Sequence, residues 1–273
     1  MKRTTILNSI LALSLFGIVS CNSDEKKAEP RDAKLKEENV TYTGDNTTMN
    51  GYVVYDENID GPRPGVIVVH EWWGLTDYPK MRARELAKLG YIAIALDMYG
   101  NGKIADNPDS ALAYAMPLYQ NPQSAKARFD AALEKLRSYS QLDQSKIASI
   151  GYCFGGSMVL NVAKLGEDLK GVVSFHGDPQ GVPANKGLLK ADVLVCHGGA
   201  DSLVAPSHLE HFRKEMDSIK ADYEVIVYPG AQHAFSNPAA TDIGKKFKLK
   251  VAYDQAADTT SWNDMKKFFG KIF

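Results

Sequence analysis

Seven short apolar runs, rich in Val and Ile, punctuate the chain at residues 51–55, 65–70, 91–96, 146–152, 171–175, 192–197 and 223–228. Most are continuous rather than alternating, which is the pattern of strands covered on both faces. Between them, apolar residues recur at helical spacing. One helix is predicted over about 76–89. Another opens at Asn121-Pro122, a capping residue followed by proline in the first turn, and lines Ala125, Phe129, Ala132, Leu136 and Tyr139 along one face. A third follows Cys153 and stops at Gly166, a C-terminal glycine cap. A fourth begins with the capping-box spacing Ser207-x-x-Glu210 and aligns Leu209, Phe212, Met216 and Ile219. The last carries Trp262, Met265 and Phe269 toward the C-terminus. Strands alternating with helices predict an α/β domain, with a mainly parallel central sheet and helices on both faces.

The N-terminus breaks this pattern. Lys2 and Arg3 precede a mostly apolar stretch, residues 6–19, that is short for a membrane span and interrupted by Asn8, Ser9 and Ser14. A secretory signal over residues 1–20 fits it. Ile18-Val19-Ser20-Cys21 resembles a bacterial lipobox, which implies lipidation of Cys21 and cleavage just before it. Residues 21–38 are then the lipidated cysteine and a flexible charged tether, because so polar a run buries too little apolar surface to offset ordering entropy. The globular domain is predicted over 39–273. Such a chain lies on a membrane without spanning it. Asn22, rather than Asp, stands directly after the cysteine, a position at which it resembles lipoproteins sorted to an outer membrane. An exported protein facing the periplasm or cell surface is therefore expected. The formal net charge is −1 and no basic stripe stands out across the chain, which argues against a nucleic-acid partner.

Composition matters most through its three cysteines, Cys21, Cys153 and Cys196. With Cys21 lipidated, a disulfide between the other two is the alternative in an oxidising compartment. Cys196 lies inside an apolar run and reads as a small buried hydrophobe. Cys153 stands at a strand-to-helix corner, Gly151-Tyr152-Cys153-Phe154-Gly155-Gly156. Small residues two before and two after let strand and helix approach closely, and the middle side chain is pushed out above the sheet. This is a nucleophile elbow with cysteine in the serine position. The following helix offers its N-terminal amides to a thiolate; the competing reading is a buried structural cysteine. An elbow nucleophile needs an acid and then a histidine later in the chain, and Asp201 and His233 come in that order, each after a predicted strand. His70, Glu71, Asp97, Cys153, His176, Asp201 and His233 all fall at strand ends and are expected on one rim, beyond the carboxyl ends of the strands.

The motifs Gly-Tyr-Cys-Phe-Gly-Gly, His-Gly-Gly-Ala-Asp and Gln-His-Ala-Phe, with "HEWWGL", "LDMYGNG" and "AYDQAADTTSW", resemble the dienelactone hydrolase family of α/β-hydrolases over about residues 39–273. The resemblance implies a hydrolase of small esters or lactones, without a cofactor and as a monomer. Cys153 attacks the carbonyl, His233 moves the proton, and Asp201 orients the imidazole. It also implies that Glu71 contacts the cysteine in the resting enzyme and moves away when substrate binds. The oxyanion hole is expected at the backbone N–H groups of Trp72 and Phe154. Asn101 and Asn237 align with two arginines that grip a substrate carboxylate in the family's founding enzymes, and neither carries charge. Lys103 is a partial substitute, and Trp73, Tyr99 and Phe235 are candidate pocket residues. His70, His176 and His197 are expected to be structural, and no cluster has metal-ligand spacing. Two other readings stay open: a non-catalytic surface lipoprotein using the rim pocket for binding, and a thiol-redox protein working through Cys153 and Cys196.

Overall fold

The strands predicted from apolar runs all form, in one eight-stranded sheet of order β1-β2-β4-β3-β5-β6-β7-β8. The computed structural model describes residues 32–273, so the signal segment, Cys21 and the first part of the tether lie outside the described residues. The strands are β1 (Leu35–Gly44), β2 (Thr47–Asp56), β3 (Arg63–Val69), β4 (Ile92–Leu96), β5 (Leu142–Tyr152), β6 (Gly171–Phe175), β7 (Asp192–Gly198) and β8 (Tyr223–Tyr228). β2 pairs antiparallel with β1 and β4, and every other pairing is parallel.

β1 corrects the predicted tether. It starts at Leu35, inside the segment expected to stay unstructured to residue 38, and pairs along its whole length with β2. The turn explains it: Asp45 and Asn46 take φ of 53° and 52°, the double left-handed conformation that suits a two-residue hairpin. An edge strand with solvent on one side needs few apolar residues, so its composition looks like linker.

Among the described residues, seven helices accompany this sheet: α1 (Asp77–Lys88), α2 (Pro108–Gln120), α3 (Pro122–Arg137), α4 (Phe154–Lys164), α5 (Pro206–Ile219), α6 (Ala240–Phe247) and α7 (Gln255–Ile272). Residues of α2 to α5 join the core on one face of the sheet, and α1 and α7 join the core on the other. Asn121 caps α3 by accepting from the Ser124 N–H, as its sequence predicts. The capping box expected at Ser207 does not form. Pro206 takes the first helical position and Ala205 the cap, so α5 begins two residues earlier, still burying Leu209, Phe212 and Met216.

Periodicity does not announce α2 or α6. In α2 the buried residues are Ala111, Ala115 and Leu118, while the large apolar Leu112 and Met116 face solvent, so the hydrophobic pattern marks the wrong face. No helix among the described residues is long and apolar enough to cross a membrane.

Candidate active site

β5 ends at Tyr152 and α4 begins at Phe154, so Cys153 alone makes the corner. Its φ of 51° and ψ of −114° are a conformation that L-residues seldom adopt, at a cost on the order of 1–3 kcal/mol. The flanking glycines explain how the corner holds. A Cβ on Gly151 would lie 2.0 Å from the Gly155 carbonyl oxygen, and one on Gly155 would lie 2.3 Å from that of Val69. The second contact seats the start of α4 directly against the end of β3. The Cys153 N–H is shared between the Phe175 carbonyl oxygen at 3.0 Å and His176 Nδ1 at 3.1 Å.

The acid and the histidine arrive from the two neighbouring strand ends. Asp201, just beyond β7, accepts from the Leu203 and Val204 N–H groups through Oδ1 at 2.8 and 3.2 Å. Its Oδ2 accepts from His233 Nδ1 at 2.8 Å. His233 is 6% exposed and shares the wall of one pocket with Cys153. Burial alone would strip the ring of its proton. The Cys153 sulfur and the Asp201 carboxylate outweigh it and push the His233 pKa up to about 10. Asp201 is driven up by burial and, more strongly, down by His233 and its two amide donors, so it stays below the usual carboxylate range.

The His233 loop is braced by the segment before α7. Ala252 N–H donates to the His233 carbonyl and Asp254 N–H to the Phe235 carbonyl, while Asp254 caps α7 by accepting from Ala257 N–H. This gives the "AYDQ" motif a positioning role.

Glu71 departs from the expected resting contact with the cysteine. Its carboxyl accepts a 2.6 Å hydrogen bond from Asn237 Nδ2, and Asn237 Oδ1 in turn accepts from Ala239 N–H. Both side chains are nearly inaccessible, Glu71 at 3% and Asn237 at 4%. Burial raises the Glu71 carboxyl to about 7, against the pull of Asn237 and of the positive His233 and Arg82. Asn237 is therefore committed to Glu71 and to its own loop, although it also lines the pocket.

The pocket is a cavity of about 340 Å³ whose wall includes Glu71, Trp72, Trp73, Tyr119, Cys153, Asp178 and His233, with Leu203, Ile243 and Leu249 among its apolar residues. Among the described residues no lysine or arginine lines it. The N–H groups of Trp72 and Phe154 donate to no other group among the described residues, and both flank Cys153, one after β3 and one at the first position of α4. Sequence reasoning missed Tyr119 and Asp178. Tyr119 lies in the unforeseen α2, its ring edge-on to Phe154 at 5.3 Å, and Asp178 carries no motif.

Several expected pocket residues lie elsewhere. Tyr99 is 3% exposed and donates its hydroxyl to the Trp72 carbonyl, so it braces the loop from behind. Phe235 is fully buried against His176 and Tyr228. Asn101 occupies an exposed left-handed corner with its N–H on the Thr48 carbonyl, and Lys103 is exposed with its ammonium over the Tyr114 ring. None of these four lines the cavity.

Two of the three histidines expected to be structural, His70 and His176, have both ring nitrogens bonded. His70 donates from Nδ1 to the Glu71 carbonyl and accepts the Met98 N–H at Nε2, and burial lowers its pKa to about 4. His176 bonds to Ser236 Oγ at 2.7 Å. Asp97 accepts three backbone N–H groups, from Asn50, Gly100 and Gly102. Cys153 and Cys196 are both free thiols packed into cores on opposite faces of the sheet, and burial pushes Cys196 up to about 12. That arrangement gives a redox pair no support.

Comparison with known proteins agrees with this geometry. Residues 49–273 match the sequence profile of the Dienelactone hydrolase family. The protein usf of Aquifex pyrophilus is 30% identical over 212 residues, covering 76% of this chain and 87% of that one. A crystal structure described as a dienelactone hydrolase-like promiscuous phosphotriesterase from metagenomic libraries superposes with a TM-score of 0.82 at 36% identity, covering 88% of this chain and 99% of the other. A second structure, named m3DLH, superposes with a TM-score of 0.82 at 33% identity over the same shares. From the cysteine elbow outward, fold and sequence agree: the chain belongs to the dienelactone hydrolase family of α/β-hydrolases and is a dienelactone hydrolase-like hydrolase.

Proposed function

We propose that the chain cleaves small esters or lactones through a Cys153-His233-Asp201 triad and a thioester acyl-enzyme. The observation that carries this reading is the Asp201–His233 hydrogen bond, with His233 and Cys153 both on the wall of one apolar cavity. The Cys153 thiolate attacks the carbonyl carbon, and the oxyanion is received by the Trp72 and Phe154 N–H groups. The tetrahedral intermediate collapses to the thioester as His233 gives its proton to the departing alkoxide. His233 then takes a proton from water, the hydroxyl adds to the thioester, and the acid leaves as the thiolate re-forms beside the imidazolium. Asp201 fixes the tautomer and supports the imidazolium. Glu71 is held by Asn237, and in this reading the thiol is left to His233.

A wall without lysine or arginine offers a substrate carboxylate no bidentate cationic partner, which favours uncharged esters over carboxylate-bearing lactones. The metagenomic relative's description as a promiscuous phosphotriesterase adds a neutral phosphotriester to the compounds worth testing. The test is hydrolysis of activated esters and lactones, with and without a carboxylate, by wild type, Cys153→Ala and Cys153→Ser. Loss in Cys153→Ala is expected, with uncharged members preferred. Equal rates in wild type and Cys153→Ala would overturn the assignment and return weight to a binding role.

We propose further that the mature chain begins at a lipidated Cys21 and is held as an exported monomer on a bacterial membrane, the outer one by the Asn22 signal. Mass spectrometry of the N-terminal peptide after expression in a lipoprotein-processing host tests it. An N-terminus elsewhere, or an unmodified Cys21, overturns it.

A further inference from the structure

Charge is sorted around the pocket. The wall holds the carboxyl groups of Glu71 and Asp178 and, among the described residues, no lysine or arginine. Just outside, α6 and the residues after it carry Lys245, Lys246, Lys248 and Lys250. Lys245 has Asp242 at 3.8 Å, while the other three have no acidic partner within bonding distance among the described residues. The Lys246 ammonium lies 4.7 Å over the Phe247 ring, and Lys103 lies 5.4 Å over Tyr114.

Those two rings pack on one small cluster. Trp73 stacks on Phe247 at 5.7 Å and groups with Ala105 and with Ala111 of α2, and Tyr114 packs against the same group. Trp73 thus joins α6 to α2 beside the cavity. The outward face of α2 is unusual for a soluble surface: Leu112 is 51% exposed and Met116 37%, and the one charged residue of this helix is Asp109 in its first turn. The row ends in Tyr119, which lines the cavity, as does Leu203 at 52% exposure. Ile104, at 50%, extends the patch toward the start of α2.

Exposed large apolar side chains beside unpaired lysines, with lysines lying over aromatic rings, are the chemistry that seats a protein on an anionic lipid surface. A soluble anionic ligand would use the lysines and leave Leu112 and Met116 unexplained; an apolar protein partner would leave the lysines unexplained. We infer that the α2–α6 rim is a docking face for an anionic membrane surface, which sets the mouth of the cavity against the lipid. Apolar acyl esters then enter past Tyr119 and Leu203 while acidic headgroups stay outside with the lysines. That delivery step rests on the hydrolase reading above; the surface contact does not.

The test uses residues 32–273, which hold the whole sheet and both cores and lack the proposed anchor. Cosedimentation is measured with vesicles of phosphatidylcholine alone and of phosphatidylcholine mixed with phosphatidylglycerol, together with hydrolysis of a soluble ester. The domain is expected to sediment with the mixed vesicles only. Lys246→Glu with Lys250→Glu weakens this by at least ~10-fold, since each lysine near an anionic surface contributes about fivefold. Leu112→Ser with Met116→Ser abolishes the part that survives high salt. Soluble-ester hydrolysis stays at the wild-type rate in both variants. Equal partition of wild type onto both vesicle types, or variants that bind like wild type, overturns the inference. So does a dimer seen by ultracentrifugation that Leu112→Ser with Met116→Ser dissolves while vesicles remain unbound, which reassigns the face to contact between copies. Vesicle binding with no hydrolysis sinks the hydrolase reading instead and leaves the docking face standing.

Discussion

Two buried histidines stand side by side at the rim, with ring centres 5.3 Å apart, and they are driven in opposite directions. His233 is pushed up to about 10, and His176 is pushed well below the ordinary imidazole range. Burial penalises the charged ring at both. What differs is the partner. His233 donates to a carboxylate, and the Cys153 sulfur beside it also favours the charged ring. His176 meets a serine hydroxyl and a backbone N–H, while the positive His233 and Arg82 further disfavour its proton. Partners therefore set proton affinity here, and burial only amplifies the choice. One ring is equipped to move protons. The other stays neutral and ties the elbow, through Cys153 N–H, to the loop that carries His233, through Ser236.

The sharpest way to break this contrast is Asp201→Asn. It leaves the shape intact but favours the wrong His233 tautomer, and kcat is expected to fall by about 10⁴. A loss below about tenfold would mean that Asp201 does not set the histidine. His176→Leu comes next. Removing a buried hydrogen-bond network should cost about 1–3 kcal/mol of stability, read by urea unfolding. It should lower kcat moderately, with KM and the pH profile little changed. A loss matching His233→Ala would make His176 a proton carrier and erase the distinction.

The pH dependence sharpens the comparison further. A histidine whose pKa is raised in the folded state contributes stability that is full below its ordinary value of 6.5 and is lost as pH rises through about 10. The stability difference between wild type and His233→Asn should therefore shrink across that window, whereas His176→Gln should show no loss there. Glu71 gives a signal of a different origin. Its folded pKa near 7 exceeds the ordinary 4.5, so the folded state holds more protons and stability declines as pH rises between those values. Glu71→Gln should remove that slope, a change of at most ~3 kcal/mol. An unchanged slope would show that Glu71 ionises freely.

The legible parts of this site are those written in short-range geometry. Gly151 and Gly155 mark a corner that no larger residue allows, so Cys153 stands out. Asp201 and His233 are legible because each comes after a strand of continuous apolar residues. Asn237 reads in sequence as a substrate contact because its partner, Glu71, is 166 residues away. Phe235 and Tyr99 mislead because an aromatic beside a motif carries no sign of which way it points.

What the sequence determined alone is the alternation of strands and helices, the glycine-flanked corner at Cys153, and the placing of Cys153, Asp201 and His233 in that order, each beyond a strand. These arise from local sterics and from burial periodicity, which act over a few residues. The tertiary structure decided which polar groups meet, Glu71 with Asn237 and His176 with Ser236, and which rings pack at the cavity, Tyr119 with Phe154. It also turned the predicted tether's end into β1 and put the apolar row of α2 outward. Such outcomes depend on which distant surfaces cover one another, and edge pairing, unlike hydrophobic periodicity, leaves little trace along the chain.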